Sequence, residues 1–202
     1  DNYPDNQWGG SQYEYVSMAH ENMRGIKNRN FVVMEEQAGP CGWDVVGRTP
    51  KPGQLRLWTY QAVMHGCEGV VYFRFRTALF GMEQYWYGVL DHDGVPRRRF
   101  YELKQTGQEL NKLERYIVGA GNSYEALIYK SYDDVWSHEI KRHKAGFDYR
   151  NLLYAYYKAN ADLNVTTAVS DREFEKYKVV YMPAHNVVTD KEVKRISEYV
   201  EN

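Results

Sequence analysis

Two adjacent glutamates stand where a short apolar run ends, in FVVMEEQAGPCGW, residues 31–43. Because side chains alternate between the two faces of a strand, Glu35 and Glu36 cannot both enter one site. If Met34 packs outward against helices, Glu35 faces the mouth of a barrel, where a carboxylate can act as a nucleophile or a general base. The alternative is an ion pair with Arg74 or Arg76 of the neighbouring strand, in YFRFR. On this residue alone, the ion pair is the simpler interpretation.

Two further residues favour a sugar site. Trp43 lies in the loop that follows the glutamates, and Glu83 lies after the next predicted strand, in GMEQYW. Carboxylates accept hydrogen bonds from hydroxyl groups, and aromatic rings stack on the C–H faces of sugars, so this combination is typical of carbohydrate sites. The chain is rich in aromatic residues throughout, at 15% with 19 Tyr and 5 Trp, but a large half-polar core explains that composition on its own.

The net charge, the cysteine count and the length of the apolar runs argue against several classes of partner. A formal net charge of −1 gives no general attraction to nucleic acid or anionic membranes. Cys41 and Cys67 form neither a disulfide framework nor a CxxC zinc motif, and no apolar run approaches the roughly 20 residues of a membrane span. We therefore predict no nucleic-acid or membrane partner, no metal and no cofactor, and a reducing, cytoplasmic setting.

One histidine-containing motif is not a zinc site. In HEIKRH, residues 138–143, the second histidine follows at i+5, whereas a zinc-protease helix needs the two histidines at i and i+4. We expect these histidines to be exposed.

The elements that must position the candidate residues alternate between strands and helices, which predicts parallel βαβ units. Long loops follow the strands of the first part of the chain, and such loops carry the sites of α/β folds. That part holds only two or three βα units, whereas a complete (β/α)8 barrel takes about 250 residues, so the chain resembles a piece of a larger protein. Strands are predicted over residues 31–34, 69–75, 126–130, 165–169 and 178–183, and helices over 13–28, 54–67, from Pro96 onward, 148–163 and 190–202.

Three stretches together resemble a known family. FVVMEEQAGPCGW, PKPGQLRLWTYQAVMHG and VVYFRFRTALFGMEQYWYGVLDHDG are similar, in order and spacing, to the β-galactosidases of glycoside hydrolase family 42. The resemblance implies that residues 1–118 are the C-terminal part of a catalytic (β/α)8 TIM barrel and that 119–123 are a linker. It implies that residues 124–202 begin a flavodoxin-like α/β domain, related to class I glutamine amidotransferases, that builds a homotrimer in the full-length parent.

The family also implies a retaining mechanism with two glutamates. The nucleophile ends strand 7 in a "ME" motif, which Glu35 matches, while the acid/base glutamate belongs to an "NE" motif at the end of strand 4. No such motif in a barrel context occurs in this chain. Because retaining enzymes need both carboxyl groups about 5–5.5 Å apart, we expect the 202-residue chain to be inactive alone.

Other family positions carry over one by one, with a galactoside as the implied substrate. Trp43 matches a pocket-wall tryptophan, and Glu83 matches a carboxylate that bonds galactose hydroxyls. Trp86 stands where many members have a histidine that contacts a sugar hydroxyl, so the resemblance does not decide whether this chain makes that contact. Arg76 matches a site-facing arginine of strand 8, and Tyr3 is expected to touch the nucleophile.

Two alternatives to a β-galactosidase stay open. The first is a non-catalytic carbohydrate-binding or assembly fragment, and an "NE" motif at a strand end upstream of residue 1 would favour the enzyme over it. The second is a related barrel glycosidase, such as an α-L-arabinopyranosidase or a β-fucosidase. Contacts to the axial hydroxyl decide between these sugars, and Trp86 falls close to them.

Overall fold

The computed structural model describes residues 1–5, 13–42, 47–141, 148–169 and 173–201. The chain divides into two compact units. The first unit comprises residues 1–20 and 30–122, and the second comprises residues 21–29 and 123–202. The expected linker at 119–123 stays a prediction.

The first unit contains two parallel strands with helices around them. Strand β1 pairs with β2 in a register that places Val33 opposite Val70 and Glu36 opposite Tyr72, with an irregularity between Val33 and Glu36. The strands begin and end within two residues of the predicted ones, except that β1 continues through both glutamates. The elements of this unit are β1 Phe31–Gln37, α2 Gln54–Met64, β2 Cys67–Phe73 and α3 Arg98–Ile117. Helix α1 Tyr13–Lys27 belongs to this unit up to residue 20 and to the second unit from residue 21.

The face of β1 that packs against a helix differs from the expected one. Val33 is buried in a cluster with Ala62 of α2 and Cys67 of β2, whereas Met34 is 63% exposed. The expectation that Met34 packs against helices is therefore wrong. The register irregularity after Val33 interrupts the strict alternation of side chains, so the direction of a residue beyond it does not follow from counting along the strand.

The bounds and the buried face of helix α2 follow from its local sequence. It begins directly after Gly53, whose φ of 86° is a conformation that favours glycine, and it buries an apolar face that includes Leu55 and Trp58. The helix ends at Met64, and Gly66, with a φ of 87°, turns the chain into β2. This turn positions the candidate residues that follow β2.

The second unit is a parallel three-stranded sheet with helices. Its strand order is β4-β3-β5, and every residue of the central strand is buried. The main apolar cluster contains Leu127, Tyr129, Ala168 and Phe174. The elements are β3 Ala126–Tyr129, α4 Tyr132–Ile140, α5 Tyr149–Ala159, β4 Val165–Ala168, β5 Val179–Tyr181 and α6 Asp190–Glu201, with short 3₁₀ turns at Ala161–Leu163 and Phe174–Lys176.

Helix α4 was not among the predicted elements, and it corrects one expectation. His138 is on this helix and is buried, not exposed. His143, the second histidine of the motif, lies outside the described residues. In the part of the chain that the structure describes, no helix is long and apolar enough to cross a membrane.

Candidate active site

The N-terminal segment lies beside the end of β1. The backbone N–H of Asn2 donates to the carbonyl of Glu35 at 2.7 Å, and the N–H of Gln37 donates to the carbonyl of Asn2 at 2.9 Å. This short parallel pairing brings the next side chain, Tyr3, toward the glutamates. The Tyr3 hydroxyl donates a hydrogen bond to Oε2 of Glu35 at 2.8 Å.

Tyr3 is held in its protonated form. Burial raises the pKa of its phenol well above the usual range, and the hydrogen bond to Glu35 raises it further. The phenol is therefore protonated at neutral pH and donates to Glu35. Glu35 itself is half-buried.

Glu36 has a different environment from its neighbour. Its side chain is fully buried, and Nδ2 of Asn2 donates to its Oε2 at 2.7 Å. Burial raises the pKa of Glu36 to about 8, against the opposing effect of the Asn2 hydrogen bond. At neutral pH the carboxyl is therefore mostly neutral, which suits a structural role that ties the N-terminal segment to β1.

Glu83 is held by an arginine after β2. Nη1 of Arg74 lies 3.1 Å from Oε2 of Glu83, and both side chains are partly exposed. Arg74, which the sequence offered as a partner for Glu35, thus pairs with Glu83 instead. Arg76 is exposed and lies near the turn at Gly94, where an added Cβ would be 3.6 Å from its Nε.

Trp86 packs against Tyr3 and not against a glutamate. The ring centroids of Tyr3 and Trp86 are 4.9 Å apart in an edge-to-face arrangement, and Phe73 lies 6.4 Å from Trp86 on another side. The backbone N–H of Trp86 donates to the backbone carbonyl of Glu83 at 3.0 Å, so both residues belong to one turn.

The structure therefore groups Tyr3, Glu35, Arg74, Glu83 and Trp86 around the ends of β1 and β2. Trp43 lies outside the described residues. Sequence reasoning missed one supporting residue, Asn2, and it offered Arg74 as a partner of Glu35 and not of Glu83. No group of three or more residues that could hold a metal ion occurs among the residues that the structure describes.

Comparison with known proteins identifies the family. The glycoside hydrolase family 42 model described as "Beta-galactosidase" matches residues 1–113, and the model described as "Beta-galactosidase trimerisation domain" matches residues 124–202. The chain belongs to glycoside hydrolase family 42. This confirms the predicted resemblance and fold class: the chain is a mixed α/β segment with part of the barrel domain and the trimerisation domain.

Relatives of this family 42 chain are longer proteins. It is 36% identical over 206 residues to β-galactosidase BgaA of Clostridium cellulovorans, and the match covers 100% of this chain and 31% of that protein. Two similar solved structures are β-galactosidases. One from the Antarctic haloarchaeon Halorubrum lacusprofundi has a TM-score of 0.88 and 30% identity, with 99% of this chain and 32% of that chain covered. One from Bacillus circulans sp. alkalophilus has a TM-score of 0.90 and 29% identity, with 98% and 30% covered. The chain thus spans about a third of the length of the relatives it matches.

Proposed function

We propose that the parent polypeptide of this family 42 chain is a retaining β-galactosidase and that Glu35 is its nucleophile. The observation that carries the proposal is the hydrogen bond of 2.8 Å from the Tyr3 hydroxyl to Oε2 of Glu35. A phenol that stays protonated can align a carboxylate for attack without taking up its negative charge. The β-galactosidase relatives give the substrate class, a terminal non-reducing β-D-galactosyl residue.

In the proposed reaction Glu35 attacks the anomeric carbon while the bond to the leaving group breaks. This forms a glycosyl-enzyme ester, and water then attacks the same carbon and releases Glu35. The second carboxyl group, which protonates the leaving group and later deprotonates the water, belongs to a part of the parent outside residues 1–202. The neutral Glu36 does not compete for the sugar, because it is buried and bonded to Asn2.

The remaining residues are proposed to bind the galactoside. Glu83, whose Oε2 pairs with Arg74, is proposed to accept hydrogen bonds from sugar hydroxyls. Trp86 and Trp43 supply ring surfaces, and Arg76 a further cation at the rim. Since the acid/base carboxyl lies elsewhere, residues 1–202 alone are proposed to be inactive. The parent is proposed to be a cytoplasmic homotrimer without a nucleic-acid or membrane partner.

Trapping tests the assignment of the nucleophile. The parent polypeptide is incubated with a 2-deoxy-2-fluoro-β-galactoside that carries an activated leaving group, such as 2,4-dinitrophenolate. The fluorine slows both steps and the leaving group speeds only the first, so the ester accumulates and the labelled peptide is sequenced by mass spectrometry. We expect the label on Glu35, none in Glu35→Gln and full labelling in the matched control Glu36→Gln. A label on Glu36 or Glu83 would contradict the assignment.

Trp86 favours a second candidate, a β-fucosidase or α-L-arabinopyranosidase. Fucose and arabinopyranose share the axial hydroxyl of galactose, so the expected contact to that group does not separate the three sugars, but both lack the hydroxyl group that galactose carries at C6. An indole packed on Tyr3 presents more apolar surface than the histidine found in many members of the family. The ratio of kcat/KM for aryl β-D-galactoside to that for aryl β-D-fucoside distinguishes these sugars. If the second candidate holds, the ratio is below one in the wild type and rises at least about tenfold in Trp86→His, while Trp86→Phe leaves it unchanged.

A further inference from the structure

The loop that carries Glu83 is closed at its base. Residues 74–77 and 88–90, named here the neck, run side by side, and residues 78–87 between them are named the Glu83 loop. Backbone hydrogen bonds of 2.7–3.1 Å join the two sides of the neck. They run from the N–H of Val89 to the carbonyl of Arg74, from Leu90 to Phe75 and from Thr77 to Leu90.

The side chain of Thr77 joins the two sides of the neck a second time. It is 2% exposed, and its hydroxyl accepts from the N–H of Gly88 at 2.9 Å and donates to the carbonyl of Leu90 at 2.8 Å. Nε of Arg99 in α3 donates to the carbonyl of Gly88 at 3.2 Å. Gly88 has no room for a side chain, because an added Cβ would lie 2.3 Å from the carbonyl oxygen of Arg74. The neck is therefore closely packed as well as hydrogen-bonded.

The Glu83 loop has little packing of its own. Leu79, Phe80 and Met82 are 58%, 84% and 83% exposed. A loop whose apolar side chains stay exposed gains little stability from burial, so its conformation depends on how its ends are held. The neck therefore has a large part in determining where Glu83 lies.

Glu83 depends on the neck more directly than Trp86 does. Oε2 of Glu83 lies 3.1 Å from Nη1 of Arg74, whose own carbonyl takes part in the neck. Trp86 is held from elsewhere as well, because its ring packs on the rings of Tyr3 and Phe73. A loosened neck is therefore expected to displace Glu83 together with its arginine and to leave Trp86 largely in place.

We infer that Thr77 is a positioning residue for Glu83 and that its hydroxyl sets the affinity of the site for the galactoside. The inference rests on the proposed function, in which Glu83 binds sugar hydroxyls, and it adds a buried residue that acts without touching the sugar. Loss of the hydroxyl leaves the buried N–H of Gly88 without this acceptor, which favours an opened neck that admits water. The sugar must then order the Glu83 loop as it binds, which weakens its binding.

Steady-state kinetics of the parent polypeptide with an aryl β-D-galactoside test the inference. Thr77→Val keeps a side chain of similar shape and removes the hydroxyl. We expect KM to rise at least about tenfold and kcat to change less than about threefold, because ordering the loop costs the bound substrate and the transition state alike. Thr77→Ser keeps the hydroxyl, so its KM should lie within about twofold of the wild-type value. A residue that only stabilises the fold would lower the melting temperature and leave KM unchanged.

A double-mutant cycle shows whether Thr77 acts through Glu83. In the Glu83→Gln background the sugar contact is already weakened, so we expect Thr77→Val to raise KM less than about twofold there. Thr106→Val is the matched control, because it removes a buried hydroxyl of α3 that donates to the carbonyl of Glu102, at 2.9 Å, within its own helix. It should leave both KM and kcat at their wild-type values.

A second variant tests the neck if Thr77→Val does not fold. Arg99→Lys keeps a cation beside Asp91 and gives up the hydrogen bond from Nε to the carbonyl of Gly88. We expect it to raise KM at least about threefold, again with a smaller effect in the Glu83→Gln background.

The outcomes separate this inference from the proposed function. An unchanged KM in Thr77→Val, or equal increases of KM with and without Glu83→Gln, overturns the inference and leaves the proposed function standing. An equally large increase in Thr106→Val does the same, since the loss of any buried hydroxyl would then suffice. A wild-type parent that cleaves no aryl β-D-galactoside overturns the proposed function and the inference together.

Discussion

Tyr3 reaches Glu35 because the backbone of residues 1–5 pairs with the end of β1. The pairing fixes the peptide on both sides of Asn2, so the phenol needs little further ordering to donate to the carboxylate. On its other side the phenol ring packs against Trp86. The orientation of the proposed nucleophile therefore depends on an aromatic contact as well as on a hydrogen bond.

Replacement of Tyr3 by Phe tests this dependence. The ring and its contact with Trp86 remain, and only the donor to Glu35 is lost. A hydrogen bond to a charged group contributes about 1.5–3 kcal/mol, so we expect kcat of the parent for an aryl galactoside to fall roughly 10–100-fold with KM changed little.

Tyr60→Phe is the matched control, because that hydroxyl bonds Glu109 of α3 and not a residue of the site. It should leave both constants as they are. If Tyr3→Phe raises KM and leaves kcat unchanged, then Tyr3 binds sugar and does not position Glu35.

At the scale of elements, the alternation of strands and helices was predictable and the details at their ends were not. The short apolar run and the glycine-bounded helix α2 each have a clear local pattern. The irregularity between Val33 and Glu36 arises from pairing with β2, which leaves no mark in the sequence of β1 alone. Helix α4 was not predicted because its apolar residues face outward, so the periodicity of apolar residues did not indicate a buried side.

The residues of the candidate site also differ in whether the sequence alone could predict them. Glu35 and Glu83 could be named from their types and their positions after strands, and Trp86 from the resemblance to the family. Asn2 could not, because it matters only through Glu36, which is 34 residues away in sequence and 2.7 Å away in space. Arg74 was named as a partner of Glu35, but it contacts Glu83 at 3.1 Å. Single-sequence reasoning has no access to such pairings.

The end of β1 also predicts a dependence of stability on pH. Burial moves the pKa of Glu36 from 4.5 to about 8 in the folded protein. Between these values the folded state holds a proton that the unfolded state has lost. The contribution of Glu36 to the free energy of unfolding is therefore fully present below pH 4.5 and is lost as the pH rises through about 8. The loss is no more than about 1.4 kcal/mol per pH unit.

The test compares the melting temperatures of the parent and of Glu36→Gln from pH 5 to pH 8.5, a range of about 3.5 units. Glutamine cannot ionise, so the melting temperature of the variant should rise relative to that of the wild type as the pH increases. Glu68→Gln, an exposed carboxyl at the start of β2, should keep a constant difference. A constant difference for Glu36→Gln as well would show that this carboxyl is ionised in the folded protein.

At the scale of the whole molecule, residues 1–202 hold one proposed catalytic carboxylate out of the two that retaining hydrolysis needs. Without a proton donor the leaving group departs as an anion, and without a base the glycosyl-enzyme persists. We expect the purified 202-residue chain to give less than about 10⁻⁴ of the turnover of the parent at equal molarity.

A trace of contaminating enzyme would give false activity in that assay, and Glu35→Gln in the same 202-residue chain controls for it. Activity that is equal in the chain and in its Glu35→Gln variant comes from a contaminant. Activity that the substitution removes would mean that another carboxyl of this chain acts as the acid/base, and Glu83, which shares the site with Glu35, would be the first candidate. In that case the catalytic pair would lie at the ends of β1 and β2, and the proposal that the parent supplies the second carboxyl would fail.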